Sequence, residues 1–285
     1  MRGYTRTVRW FGRKRSWRRR VSDAARRADE RGREQLRAAA AQLDLPWART
    51  WVAGVVRENF LRFVLDPLMD YYAARWASGR ERLSGLKGPV ILVANHASHM
   101  DTPVILSALP RRLRKRTVVA AAADYFYRNR LVASLVSLIF NTTPIERGGG
   151  GLSKDGSHLD RLLDEGWSLL LYPEGTRSRS GVPGRVRRGA AVLAAAHDLK
   201  IVPIRVTGTR EAMPPGRLWP KRLRTSPAVS RRHRITVAFG EPISPTGDTA
   251  ALIESVQRFF DGAGGGSSPY RSPYARRSAQ TADRS

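Results

Sequence analysis

The sequence predicts an α/β fold: a layered, largely parallel or mixed sheet flanked by helices, preceded by an N-terminal helical extension. Three observations lead there. Short apolar runs alternate with helix-patterned segments from Gly88 to about Phe260, the order of elements that builds a sheet with helices packed on it. Several of those runs are apolar at every position, as strands buried on both faces are. Some of them also stop abruptly at polar corners, and the carboxyl edge of such a sheet is where α/β proteins bind ligands.

Residues 1–48 form a basic, partly helical N-terminal extension; the first twenty residues hold nine basic side chains and no acidic one. Within it, 22–43 has helical spacing with Asp23 and Glu30 set among arginines, and Pro46 ends it. Residues 49–87 read as an amphipathic helical membrane-proximal segment. Val52, Val55, Val56, Phe60, Phe63 and Val64 follow helical spacing, while Arg57, Glu58 and Arg62 take the other face. A helix of this kind either lies on its own protein core or sits at a headgroup boundary, and the spacing admits both.

The α/β domain spans 88–260. "PVILVA" (89–94), "TVVAAAA" (117–123), "SLLLYP" (168–173), "IVPIRV" (201–206) and "RITVAF" (234–239) are the strands. Helices are expected at 103–109, 124–140, 153–165 and 187–197. From Asp261 the chain turns to "DGAGGGSSPYRSPYARRSAQTADRS", whose Gly, Ser and Pro content reads as a disordered tail over 261–285.

Composition narrows the function classes. The chain has 285 residues, 41% hydrophobic, and no cysteine, so disulfides, Cys-ligated zinc and Cys nucleophiles are all excluded. Lys plus Arg number 51 against 24 Asp plus Glu, a formal charge of +27. Such a charge draws the chain to polyanions, either an anionic membrane face or nucleic acid. The longest uncharged apolar stretch, "LVASLVSLIF" (131–140), is about half of the ~20 residues a spanning helix needs. The N-terminus has no apolar signal-peptide region, so secretion is not expected.

The corner "VILVANHASHMDTP" (90–103) carries the first candidate chemistry. On one regular helix, five positions would set His96 and Asp101 about 140° apart, so they meet only if the chain turns between them. A strand, a polar corner and then Thr102-Pro103 opening a helix supply that turn. Asp101 then accepts a hydrogen bond from one imidazole nitrogen, and the other takes a proton from a substrate hydroxyl, the orienting role of the Asp in a catalytic triad. An imidazole with its ordinary pKa of ~6.5 suits that work near neutral pH. Backbone N–H groups at the helix start after Asp101 are expected to meet the developing oxyanion. His99, with one residue between it and Asp101, is the weaker candidate. In "LLLYPEGTRSRSG" (169–181), Glu174 and Gly175 precede Arg177 and Arg179, and in "NTTPIERGGGG" (141–151) Arg147 stands beside a glycine run. Glycine admits close backbone approach and an Arg fork suits phosphate oxygens.

"NHASHMD", "PIER", "YPEGTRS" and "IVPI" stand in the order and approximate spacing of the four motif blocks of the glycerolipid acyltransferases. Over about residues 50–245 the chain resembles that family, and within it most closely the 1-acylglycerol-3-phosphate (lysophosphatidic acid) acyltransferases. The resemblance implies direct transfer of a fatty acyl group from a thioester, acyl-CoA or acyl-carrier protein, to a lysophospholipid hydroxyl. It makes His96 the general base and Asp101 its partner. It gives Arg147, Glu174, Gly175, Thr176 and Arg177 to the acceptor's phosphate region. Val202, Pro203 and Ile204 match the fourth block, linked to acyl-donor binding or packing. The second block departs from the usual pattern: Pro144 precedes Ile145, Glu146 stands where Asp is commoner, and the leading glycine is missing. The reading needs no metal and no cofactor beyond the acyl donor as co-substrate. It expects a peripheral protein on anionic lipid at the cytoplasmic face of the cell membrane. Another acceptor (glycerol-3-phosphate, a different lysolipid, an amino lipid) is the alternative within the fold. A basic nucleic-acid-binding protein is the alternative outside it, and that one leaves the His-Asp and Glu-Gly-Thr-Arg corners unexplained.

Overall fold

The computed structural model describes residues 42–123, 129–145, 158–178, 180–217, 219–224, 230–245, 248–262 and 270–271. The expected helix at 22–43 therefore lies almost wholly outside the described residues. So do Glu146 and Arg147, the glycine run after them, the first residues of the 124–140 and 153–165 helices, and all of the tail except 261–262 and 270–271.

Helix α1 (Trp51–Phe60) continues through a π-helical turn (Leu61–Leu65) into α2 (Asp66–Tyr72). Strands β1 (Ala73–Ser78) and β2 (Ile91–Ala94) follow, then α3 (Asp101–Ala108), α4 (Arg111–Lys115) and β3 (Thr117–Ala122). Next come α5 (Arg130–Phe140), β4 (Thr142–Ile145), α6 (His158–Asp164), β5 (Ser168–Leu171), α7 (Gly189–Ala196), β6 (Ile201–Thr207) and α8 (Thr209–Ala212). A two-strand ribbon, β7 (Leu223–Arg224) with β8 (Ser230–Arg231), precedes β9 (His233–Phe239), α9 (Thr249–Phe260) and β10 (Tyr270–Arg271).

The main sheet runs β10-β1-β9-β6-β2-β5-β3-β4. From β6 to β4 every pairing is parallel, and β9 joins β6 antiparallel. The sheet is covered on both faces because its strands are apolar at both parities. Leu92, Ala94, Leu170, Val202 and Ile204 pack with Val104, Ile105 and Leu106 of α3. Ile91, Val93, Leu169 and Leu171 pack on the other side with Leu159, Leu162 and Leu163 of α6, Leu193 of α7 and Leu252 and Val256 of α9.

The segment 49–87 is α-helical only as far as Tyr72, with one more short helical turn, a 3-10 turn, at Arg80–Leu83. Ala73–Ser78, read as part of the amphipathic segment, is a sheet strand paired in parallel with β9. Alanine and arginine favour helix, but pairing to β9 overrides that preference. Its alternation is clean, with Ala73, Arg75 and Ala77 buried between half-buried neighbours.

The preceding helix is turned the opposite way from a core helix. Trp51 is 80% exposed and Phe63 64%, with Val52, Val55, Val56 and Val64 also exposed. Arg57 and Glu58 face inward, whereas Arg62, expected on the same face, is exposed and lies over the Phe63 ring. Arg57 is buried and donates to the carbonyls of Leu138 (2.8 Å), Ser137 (3.2 Å) and Ala48 (2.5 Å), so it caps the last turn of α5 from beneath. That burial pulls the guanidinium down to about 10. Burial alone would raise Glu58, but the two-pronged contact from Arg114 holds it below the usual carboxylate range. The π turn keeps the inward face in phase: Ala53, Arg57 and Leu61 are four apart, and Asp66, five beyond Leu61, is again buried. Phe60, expected on the outer stripe, is half-buried. Leu131, Val132 and Leu135 of α5 extend the exposed apolar face. No helix among the described residues is long and apolar enough to cross a membrane.

Candidate active site

The site is built where β2, β5 and β6 end side by side. Past the last residue of β2, the Asn95 side chain continues the ladder to β6, donating to the Val206 carbonyl (2.9 Å) and accepting from its N–H (2.7 Å). The next residue, His96, is therefore delivered at the carboxyl edge in a fixed orientation.

The turn from His96 to Asp101 closes on the Asp101 carboxylate. Its Oδ2 accepts from the Ala97 N–H (2.7 Å) and the Ser98 N–H (2.8 Å), and lies 2.8 Å from His96 Nδ1. Asp101 is fully buried, so the pair faces little competition from water. The His96 side chain keeps 18% exposure. With Nδ1 engaged, Nε2 is the ring nitrogen left for a substrate. The ring stacks on Tyr172, centroids 4.1 Å apart at 24°, and the Tyr172 hydroxyl shares a 2.7 Å hydrogen bond with Thr102 at the start of α3. Burial drives the Tyr172 phenol upward, so it stays neutral.

Bonds already made narrow the expected oxyanion donor set at the helix start. The Asp101 N–H donates to the Ser98 carbonyl and the Val104 N–H to the Met100 carbonyl, and Pro103 has no N–H. The Ala97 and Ser98 N–H groups belong to Asp101 itself.

Glu174 is also placed otherwise than as a direct ligand of the acceptor. It is buried, and its two oxygens accept from the backbone N–H of His96 (2.8 Å) and of Gly184 (2.7 Å). Burial pushes its carboxyl up while those two bonds pull the other way. Ser178 completes the clamp, its N–H donating to the His96 carbonyl at 2.7 Å. The third block thus grips the first block's backbone on both sides of one residue. Gly175 has φ 75°, and a Cβ there would lie 2.9 Å from the Arg187 guanidinium, so that arginine lies flat on the loop. Thr176 is exposed and Arg177 half-buried.

Arg177 is close enough to His99 for its charge, after burial, to help lower that imidazole to about 4. His99 is thus neutral through the physiological range. Its folded value lies below the ~6.5 of a free histidine, so the unfolded chain takes up the proton first. The stability this contributes is present above pH ~6.5 and lost as the pH falls toward 4. His99→Gln should flatten the fall in urea midpoint between pH 7 and pH 5. An unchanged slope would remove His99 as the cause.

Val202, Pro203 and Ile204 lie in β6, paired with Leu92, Val93 and Ala94, and all three are buried. This block is packed within the sheet, beside the strand that leads into the His96 turn. Arg147 lies outside the described residues. Sequence reasoning missed Tyr172, Asn95 and Thr209, whose hydroxyl reaches the second Asp101 oxygen at 2.5 Å. Asn95 beside His96 and a Gly-Thr pair ending a strand were the available signals.

The geometry can be set beside known proteins. The acyltransferase family matches residues 75–207. N-acylphosphatidylethanolamine synthase of Arabidopsis thaliana is 34% identical over 179 residues, covering 59% of this chain and 60% of that protein. The chloroplastic 1-acyl-sn-glycerol-3-phosphate acyltransferase LPAT1 of the same plant is 30% identical over 139 residues, covering 48% of this chain and 37% of that one. The chain thus spans less than two thirds of either relative's length. The crystal structure of the 1-acyl-sn-glycerophosphate acyltransferase PlsC of Thermotoga maritima shares the fold, with TM-score 0.50 and 19% identity over 81% of this chain and 96% of that one.

Proposed function

We propose, from the match of residues 75–207 to the acyltransferase family, that this protein moves a fatty acyl group from acyl-CoA or acyl-carrier protein to the hydroxyl of a lysophospholipid, with lysophosphatidic acid as acceptor and phosphatidic acid as product. The observation that carries the reading is the His96 ring, held at Nδ1 by a fully buried carboxylate and at its backbone by Glu174. In the reaction His96 Nε2 takes the acceptor's hydroxyl proton as the oxygen attacks the thioester carbonyl. Asp101 stabilises the imidazolium that forms. The tetrahedral intermediate then expels the thiolate, which takes the proton from His96, leaving an ester and a free thiol. Arg177, at the mouth of the turn, and Arg147 meet the acceptor phosphate. Glu174 and Gly175 shape the loop that presents them.

A second reading has its own support: the N-acylphosphatidylethanolamine synthase relative and a second block with Pro144 and Glu146. There the acceptor is the amine of an aminophospholipid. Purified protein incubated with lysophosphatidic acid, other lysolipids, glycerol-3-phosphate or phosphatidylethanolamine, each with acyl-CoA and acyl-carrier protein, and read by mass spectrometry, separates the two. A new ester on lysophosphatidic acid supports the first, an amide on phosphatidylethanolamine the second, and no acyl product from any pair defeats both.

The acceptor is a membrane lipid, and the outward face of α1 and α5 suits peripheral attachment at the cytoplasmic membrane face. Arg111 is 73% exposed beside Glu58, and it and the Arg-rich first twenty residues supply positive charge. Each basic side chain near an anionic surface contributes about 1 kcal/mol and is screened by salt, whereas an inserted aromatic contributes ~1.5–3 kcal/mol largely independent of salt. Sedimentation with anionic vesicles should therefore weaken in high salt, and removing residues 1–20 should abolish most of that dependence. Trp51→Ser with Phe63→Ser should weaken the salt-resistant remainder. Tight DNA binding without vesicle binding would reverse this assignment of the charge.

A further inference from the structure

The two oxygens of Asp101 are held from different parts of the chain. Oδ2 serves its own turn, as described. Oδ1 accepts from the Thr209 hydroxyl at 2.5 Å, 108 residues further on. Thr209 is itself fully buried, so no water competes for that carboxylate oxygen through its side. The N-cap position of α8 is Gly208, so capping falls to a residue without a side chain and Thr209, the first helical residue, directs its hydroxyl at Asp101.

The chain makes a special effort to bring it there. Between β6 and α8 stands Gly208 at φ 83°, where a Cβ would lie 1.9 Å from the Arg234 carbonyl oxygen of β9. Only glycine lets the chain pass that close to β9 and turn under the His96 corner. The far end of the same segment makes a second contact with that corner. Ser98 Oγ donates to the Met213 carbonyl at 2.7 Å and accepts from the Met100 N–H at 3.1 Å. Residues 208–213 therefore brace the turn at Asp101 and at Ser98 together.

We propose that Thr209 is a positioning residue for the acyl-transfer step: its hydroxyl anchors Asp101 Oδ1, which aims Oδ2 at His96 Nδ1 and moderates the negative charge the imidazole feels. The proposal rests on the reading of His96 as the base. Without that hydroxyl the carboxylate loses an anchor against rotation about a soft torsion. It also becomes a stronger acceptor, which favours the protonated imidazole. Other titratable or charged groups near the pair are His99, Tyr172, Glu174 and Arg177; they are the same in every variant below.

The test compares Thr209→Val, which keeps the shape and loses the hydroxyl, with Thr209→Ser, which keeps the hydroxyl. In Thr209→Val, kcat should fall about tenfold with both KM values within about twofold of the parent. The acid limb of the pH–rate profile should move to higher pH. The low-field Nδ1–H proton resonance of His96, assigned with His96→Ala, should move or be lost to exchange. Thr209→Ser should restore all three. A merely structural role would lower activity in step with the thermal midpoint and leave the profile and the resonance in place, and that result overturns the proposal, as does a serine variant no better than valine. If Thr209→Val does not fold, Thr209→Ala takes its place against Thr209→Ser under the same criteria. If the parent shows no transferase activity the functional reading has failed on its own, and the His96 resonance alone then decides whether Thr209 positions the pair.

Discussion

His96→Ala should lower kcat by about 10³-fold, since a positioned general base contributes ~10²–10⁴. The fold should survive, because the ring is partly exposed and its loss leaves the Asp101 carboxylate bonded to Ala97, Ser98 and Thr209. His99→Ala should retain most activity. Burial holds its imidazole near 4, too weakly basic to take a hydroxyl proton well at neutral pH, and the Nδ1 contact to Asp101 belongs to His96. Steady-state rates with a lysolipid acceptor, alongside circular dichroism of each variant, check this. Equal losses in the two variants would remove the assignment of the base.

The largest stability effect is expected at Arg75. It is buried, donating to Asp70 Oδ1 (2.8 Å), Asp66 Oδ1 (2.9 Å), the Asp66 carbonyl (3.3 Å) and Ser107 Oγ (2.8 Å). Ser107 in turn donates to Asp66. One guanidinium thus joins α2, β1 and α3. Burial would lower it, but the two carboxylates hold it above its ordinary value. Arg75→Met keeps the length and strands two buried carboxylates, at a cost of ~3–5 kcal/mol, set against a typical total of ~5–15 kcal/mol. The urea midpoint should fall accordingly, and Asp66→Asn with Asp70→Asn in the same chain should recover part of the loss. A midpoint unmoved in Arg75→Met would mean that water reaches the network.

What could be read from the sequence depended on how local each signal was. The strands ending at Ala94, Leu171 and Thr207 announced themselves because burial on two faces leaves an unbroken apolar run. Strand β1 did not, since "AARWAS" has the composition of a helix and its partner strand begins 160 residues later. Strand β4, "TTPI", did not register because two threonines and Pro144 leave no apolar run to read. Helix α9 went unassigned even though Asp248 caps it and Leu252, Val256 and Phe260 repeat every four residues. At the site, the His96–Asp101 contact was legible because five residues of turn contain it. Glu174 was visible as a residue but its use was not, because a buried carboxylate bonding backbone N–H groups leaves the same letters as one facing a ligand. The inward set of Arg57 followed from its carbonyl partners on α5, which no helical period encodes.

The clamp around His96 also bears on the order in which the chain folds. Its bonds to Glu174, Val206 and Thr209, through His96, Asn95 and Asp101, join residues 78 to 111 positions apart. During synthesis the short turn at 96–101 emerges long before any of these partners. Contacts of such separation form late, after the loop-closure entropy has been met elsewhere. Partly folded or truncated chains ending before Thr209 should thus contain the His-Asp motif without an organised site. Recovery of activity on refolding should lag recovery of helix signal, a sharper marker of the native state than secondary structure.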